Sequence, residues 1–418
     1  MVRPFHLIGL GTAACLLLAP GAVFADQSLN PALSRLVVDH RCNALNLNGP
    51  NATGSDAEYL NGAPTNVGRF NDTPADRAAY NAGTGRDSCF PNHVAFKQLM
   101  AQWGFALAPS AMHSARTTGF GGFHFSLEAM YTKIDKDATY WKLGTQGSRD
   151  PTSNKGSIVN NSPPSLIQMY SVRVRKSFGF GLEIATQVGY VPSSTILSGG
   201  ADVRMSLLEG FRTGFLGILP DVAVGSGVRT ITGIPEFQLT TVGLDVQLSK
   251  PLAIASQSVL TPWIGYQYLW IFGDSGLVDL TPATDPVGYC QFTGPNVPGN
   301  ADPTKTVNGK HQFDGQPVCA GGGGSRSSPI DFNNNVVFNN ARLERQRGII
   351  GLSYRYEMVA LGMQFITDLV DVADAQVGND TVQMPKGPGK PLQEVTDADA
   401  MKDVKRQWSL VFEVGAMF

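Results

Sequence analysis

The residues from Gln407 to Phe418 at the C-terminus separate into two sets of opposite character. Trp408, Leu410, Phe412, Val414, Ala416 and Phe418 are all apolar, whereas Gln407, Ser409, Val411, Glu413, Gly415 and Met417 are mixed. A period of two puts these sets on opposite faces of an extended strand, so one face meets an apolar medium along its whole length. From Trp408 to Phe418, steps of about 3.3 Å tilted by about 40° project to about 25 Å, the height of the apolar band of a membrane-spanning barrel. An aromatic side chain stands at each edge of that span.

The same alternation recurs upstream. Its apolar sets are Phe123–Tyr131, Tyr170–Val174, Phe180–Tyr190, Ala201–Leu207, Val222–Val228, Val242–Leu248, Ile264–Trp270, Ile350–Tyr356 and Val359–Phe365, each read at every second residue. With the last strand this makes ten. A terminal strand that ends in Phe resembles the closing strand of Gram-negative outer-membrane β-barrel proteins. That resemblance implies an all-β fold, a transmembrane antiparallel up-and-down barrel of about ten strands, outer-membrane location, contact with membrane lipid, and engagement of the barrel-assembly machinery through the C-terminal strand. It identifies no narrower family.

The connections provide a second test. In such barrels short turns face the periplasm and long loops face outside. Ser177–Gly179 and Glu357–Met358 are tight, while the stretches at about 135–166, 273–340 and 371–405 are long. The link near Gly233–Pro235 is short for an outer loop, Leu208–Asp221 is long for an inner turn, and 273–340 has room for further strands, so twelve is the alternative count. A secreted β-sandwich or a lipocalin-like barrel also alternates. Neither suits a structureless loop of such length, and neither explains an aromatic at the chain's end.

Residues 1–25 have the layout of an export signal: Arg3 and His6, an apolar run from Leu7 to Ala19, and Val23-Phe24-Ala25 as a cleavage site. Cys15 lacks the context of a lipidated cysteine. Cys42, Cys89, Cys290 and Cys319 then remain, an even number that suggests disulfides in an exported chain. Cys42–Cys89 and Cys290–Cys319 is the economical pairing, with connectivity left open. The metal alternative has no CxxC or HxxxH spacing behind it, and no Asp-x-Asp-x-Asp-Gly loop occurs. No cofactor is expected.

Residues 26–122 lack the alternation. Pro31–Val38 reads as a short helix, and Asn92–Trp103 as an amphipathic helix through Val94, Phe96, Leu99, Met100 and Trp103. A ten-stranded lumen has little spare volume beyond its own side chains. A periplasmic cap is therefore expected in preference to a plug.

If the apolar sets face lipid, the alternate residues line the lumen. They include Arg173, Arg175, Arg204, Arg229, Arg345, Arg347 and Arg355 against Glu128, Glu183, Asp202, Asp245, Asp368 and Glu413. Two readings stay open. The expected function is that of a narrow pore or transporter lined by these charges that passes small polar solutes, and the alternative is an ion-paired network that stiffens a closed, non-conducting barrel. A surface-recognition role for the loops is a third. Hydrolysis needs a His near the outer end of a strand, yet only His124 falls in a strand, at its inner end, so no enzyme is expected. A formal charge of −2, with 32 basic against 34 acidic residues, excludes a nucleic-acid binder that works through net charge. Oligomeric state is not legible.

Overall fold

The computed structural model describes residues 28–38, 91–110, 113–147, 160, 162–209, 219–279, 335–378, 380–385 and 392–418, with the backbone of short paired strands between 290 and 319. The expected export signal, Cys42 and Cys89 lie outside these residues.

Strands β1 (Phe123–Lys133), β2 (Leu166–Ser177), β3 (Leu182–Tyr190), β4 (Leu197–Leu208), β5 (Asp221–Thr232), β6 (Phe237–Ser249), β7 (Ser258–Ser275), β8 (Ala341–Tyr356), β9 (Val359–Asp368) and β10 (Trp408–Met417) pair antiparallel in chain order. The ring closes where β10 lies against β1, with Leu127 opposite Val414 and Tyr131 opposite Leu410. Closure removes both sheet edges, which a strand-built membrane span requires because lipid offers no partner to a free backbone N–H or C=O. Ten strands close this barrel, and the alternative of twelve falls away.

The burial of each strand follows the alternation. The apolar set is outward and exposed, as at Val188 (64%), Ile264 (57%), Ile350 (63%) and Phe412 (43%), while the intervening residues are buried inside. A soluble barrel would bury these side chains. Their continuous exposure makes the outer surface a lipid-facing belt.

The tightest turns lie at one end, which also carries the longer link from Leu208 to Asp221. The other end has two short links, after Tyr190 and after Thr232, beside the long ones. Phe178–Gly181 joins β2 to β3, and Glu357–Met358 joins β8 to β9. The backbones of Phe123 and Phe418 bond to each other at that same end. The long connections rise from the other end. That after β7 continues the β7–β8 pairing as a nested series of short antiparallel pairs: Val278–Asp279 with Asn335–Val336, Cys290–Phe292 with Pro317–Cys319, and Thr306–Val307 with Lys310–His311. The stretch with room for further strands thus carries strand pairs, but as separate two-stranded ribbons that do not join the barrel sheet. After β9, the paired strands Thr381–Pro385 and Leu392–Thr396 lead into a short helix.

The N-terminal segment departs from expectation. Pro31–Val38 is not a helix beyond the single turn Leu33–Arg35, and is tied down by isolated bridges from Pro31 to Thr145 and from Val37 to Pro91. Helix α1 (His93–Leu107) starts on Asn92, whose side chain accepts the Ala95 N–H at 2.9 Å. It is buried all round rather than on one face, and runs one turn beyond the expected end. Its surroundings explain this: β6, β7 and β8 cover one side, while α2 (Thr139–Gly144) and α3 (Asp397–Met401) cover the other.

From α1 the chain descends through the lumen to β1. The described residues of this segment therefore lie inside the barrel and at its long-loop mouth, not beneath it as a periplasmic cap. The lumen has room because inward wall positions carry small residues such as Ser126, Ser171, Ala223, Gly227 and Gly243. Contact is close enough that a Cβ on Gly104 of α1 would sit 2.5 Å from Ile271, and one on Gly227 would sit 2.9 Å from Pro109.

Candidate functional site: the filled lumen

Alternation aims one side chain in two at the barrel axis, and in the lower half these are mostly charged. Arg173 of β2 bridges Glu128 of the neighbouring β1 at 3.1 Å and Asp202 of β4, two strands away, and Asp202 also takes Arg229 at 2.8 Å. Gln187 ties this group together, accepting from Arg229 at 2.7 Å and donating to Glu128 at 3.0 Å. Arg175 meets Glu183 at 3.3 Å, and Arg204 meets Asp245 at 3.3 Å. Glu413 lies opposite Glu128 across β10 and β1, 3.6 Å from the His124 Nδ1. All of these are buried except Asp202, which is half-buried. Arg355 is set apart: it is exposed at the short-turn rim and donates to the Glu357 carbonyl at 3.0 Å.

The upper pair of arginines serves the plug. Arg345 is held by Asp368 in a two-pronged contact at 3.1 and 2.5 Å and donates to the Ala101 carbonyl of α1 at 2.8 Å. Among the described residues, Arg347 forms no ion pair with a carboxylate, although its register partner on β9 is Asp368. It donates to the carbonyls of Phe105 at 3.3 Å and Pro109 at 2.6 Å, and to the Gln267 side chain. Both guanidinium groups lie over the Phe105 ring, at 4.7 and 5.2 Å from its centroid. Cations thus face the C-terminal part of the helix, the end that carries partial negative charge, and the Phe105 carbonyl is one of the last four without an intrahelical partner.

Below α1 the descending chain is held at each level. Ser110 Oγ accepts from Arg173 at 3.2 Å, and its carbonyl accepts from Gln364. The Ser114 carbonyl accepts from Arg204 at 2.9 Å, and the Thr118 N–H donates to Ser177 Oγ and the Glu183 carboxylate. At the top, Lys97 forms a buried ion pair with Asp397 of α3. Gln102 accepts from the Trp141 indole at 2.5 Å and donates to Tyr140 at 2.7 Å.

Several partners were not legible in the sequence. Gln187, Gln267 and Gln364 sit at inward positions of the same alternation, so polar uncharged residues on that face were the available signal. The carbonyls of Ala101, Phe105 and Pro109, and the Lys97–Asp397 pair, had none. Burial at His93 pushes its imidazole down to about 4, and the neighbouring Lys97 charge acts in the same direction. Its Nδ1 accepts the Asn339 N–H at 3.1 Å, which suits the neutral ring. Burial raises the Asp397 carboxyl, against the lowering effect of Lys97.

No protein-family model and no curated protein sequence matches this chain. Among solved structures it is similar to Ail, the attachment invasion locus protein of Yersinia pestis (TM-score 0.21, 8% identity, covering 72% of this chain and 100% of Ail). It is also similar to the outer membrane protein OprG of Pseudomonas aeruginosa (TM-score 0.24, 10% identity, 73% and 99%) and to Omp33 of Acinetobacter baumannii (TM-score 0.22, 6% identity, 71% and 98%). The ring of ten strands and the apolar belt are this chain's own. They make it a membrane-spanning β-barrel of the outer-membrane type in contact with membrane lipid, and the described residues of its N-terminal segment occupy the lumen.

Proposed function

We propose that this barrel does not conduct as folded, and serves as a sealed structural and surface-recognition barrel of the outer membrane. The observation that carries this reading is the occupancy of the lumen: α1 and the chain below it pass through it, and Arg345 and Arg347 grip the helix carbonyls. Every level of the descending segment exchanges hydrogen bonds with the wall, so a solute path requires that set to break together. A pore for small polar solutes is the second reading, and in it α1 must leave its seat.

Planar-bilayer recording of the purified full chain tests this. A silent bilayer is expected at low voltage, with flickering openings in the Arg345→Ala/Arg347→Ala variant. Steady conductance steps from the unaltered chain would overturn the reading.

Three further features belong to the same proposal. Backbone register sets Cys290 opposite Cys319, which favours a bridge between them that stiffens the outer loop. The strand ending at Phe418 pairs with both β1 and β9, and we read it as the segment the assembly machinery engages. A non-enzymatic role belongs to the same reading, in which the buried lumen imidazoles are members of the ion network: His124 lies between Arg175 and Glu413, and His113 between Arg204 and Glu183.

A further inference from the structure

At the long-loop end of the wall, β5 and β6 part company. Their pairing stops at Thr230–Thr240, although β5 continues against β4 as far as Thr232 and β6 starts against β7 at Phe237. The two strands form a fork whose mouth is a cavity of about 570 Å³, closed above by Gly233–Pro235. That volume falls within the range of about 300–1,000 Å³ typical of small-ligand sites.

The fork marks the place where the lipid-facing surface changes chemistry. One level below it, the outward row across β5, β6 and β7 is Val228, Val242 and Trp270. At the fork the row becomes Thr230, Thr240 and Phe272, with the two threonine hydroxyls bonded at 3.2 Å. One level above stand Thr232, Gln238 and Asp274, with Gln238 and Asp274 directly opposite each other. The cavity therefore lies at the boundary between acyl chains and headgroups. Strands that separate within hydrocarbon would leave backbone groups without partners, so the fork needs a polar occupant or polar surroundings.

Its lining fits a sugar. Phe272 is 41% exposed and offers an aromatic face to the C–H side of a pyranose ring. Gln238 can both donate and accept, the threonine hydroxyls do the same, and the Asp274 carboxylate accepts from neighbouring sugar hydroxyls. Among the described residues that line the cavity none is Lys or Arg, which disfavours a phosphate there. Arg342, outward on β8 and opposite Phe272, stands beside the cavity, where a phosphate on the same headgroup would meet it.

We propose that the β5–β6 fork is a saccharide-binding notch at the membrane boundary that seats the sugar headgroup of an outer-leaflet glycolipid. It orients the barrel against its own leaflet and is independent of whether the lumen conducts. The full chain in lauryldimethylamine oxide micelles, titrated with Kdo2–lipid A and followed by native mass spectrometry, provides the test. One saturable site is expected, weakened at least about tenfold in Phe272→Leu and in Gln238→Leu. Val203→Leu, in the belt on β4, should bind as the unaltered chain does, and dioleoylphosphatidylglycerol should not displace the glycolipid. Equal binding by the Phe272 and Gln238 variants would overturn the proposal. So would displacement by phosphatidylglycerol, or binding of the deacylated headgroup as tight as that of the glycolipid. Both altered side chains are outward and exposed, and a heat-shift gel confirms that each variant is folded before titration.

Discussion

Arg347 of β8 donates to the Pro109 carbonyl at 2.6 Å, two residues beyond the end of α1, where the chain turns down the lumen. A wall cation thus grips the backbone of the plug rather than one of its side chains. Substitution of the plug's side chains leaves such a contact in place, so the grip is tested most directly from the wall.

Arg345→Ala should destabilise the barrel by about 3–5 kcal/mol, the cost of leaving one partner of a buried pair behind. The Asp368 carboxylate would lose both prongs, and the Ala101 carbonyl its donor. Urea titration of folded barrel in detergent measures this. Adding Asp368→Ala to the same chain should restore part of the loss, because the stranded charge is then gone.

The Lys97–Asp397 pair fastens the top of α1 to α3, with both side chains almost fully buried. Lys97→Met and Asp397→Leu should each cost more than the two together, since either alone strands a charge in an apolar seat. A double-mutant cycle on the unfolding midpoint gives the coupling, and additive losses would show that the pair is not coupled.

Acid should loosen the plug through His93. Its imidazole titrates near 6.5 in the unfolded chain and near 4 in the folded one, so between those values the unfolded state binds more protons. This contribution to stability is complete above about pH 6.5 and is lost as pH falls toward 4. Asp397 acts in the opposite direction, because its raised pKa penalises the charged form and acid relieves that penalty. The difference between the unaltered chain and His93→Gln, read as hydrogen exchange of α1 amides from pH 7 to 4, isolates the histidine. Protection factors of the α1 amides, taken relative to intrinsic exchange at each pH, should fall in acid more steeply with His93 than with Gln.

Gly104 is where α1 touches β7 most closely. Gly104→Val should cost about 1–3 kcal/mol through overpacking against Ile271, and Ile271→Ala in the same chain should recover part of it. Melting of the plug, followed by the fluorescence of buried Trp103 and Trp141, reports both.

Oxidised Cys290–Cys319 should stabilise the outer loop by about 3.5 kcal/mol through lost chain entropy on the loop-closure model. Thiol counting on the denatured, unreduced protein checks the bridge, and free thiols at both positions would remove it.

Strand number, the face of every strand and the end with the tightest turns were legible in the chain, although the short link at Gly233–Pro235 and the long one between Leu208 and Asp221 break the simple rule. Each is a local consequence of period two and of the length between apolar runs. Trp408 to Phe418 already contains its own orientation, because a strand has only two faces and one of them is wholly apolar. The buried charged residues of the inner face follow the same alternation, whereas Arg355, expected among them, is exposed at the short-turn rim. Their partners were not: that Arg173 meets Asp202, or that Arg175 meets Glu183, depends on register between strands, which alternation within one strand does not set.

The plug was decided by tertiary structure alone. The composition of Asn92–Trp103 suits a helix with one buried face, and nothing local distinguishes a cap beneath the barrel from a helix within it. What decides is volume: inward Gly, Ala and Ser from different strands converge to leave a space that no single strand discloses. Burial of a helix on all sides follows from that convergence, as does the role of Arg345 and Arg347, whose partners are backbone carbonyls that carry no sequence signature.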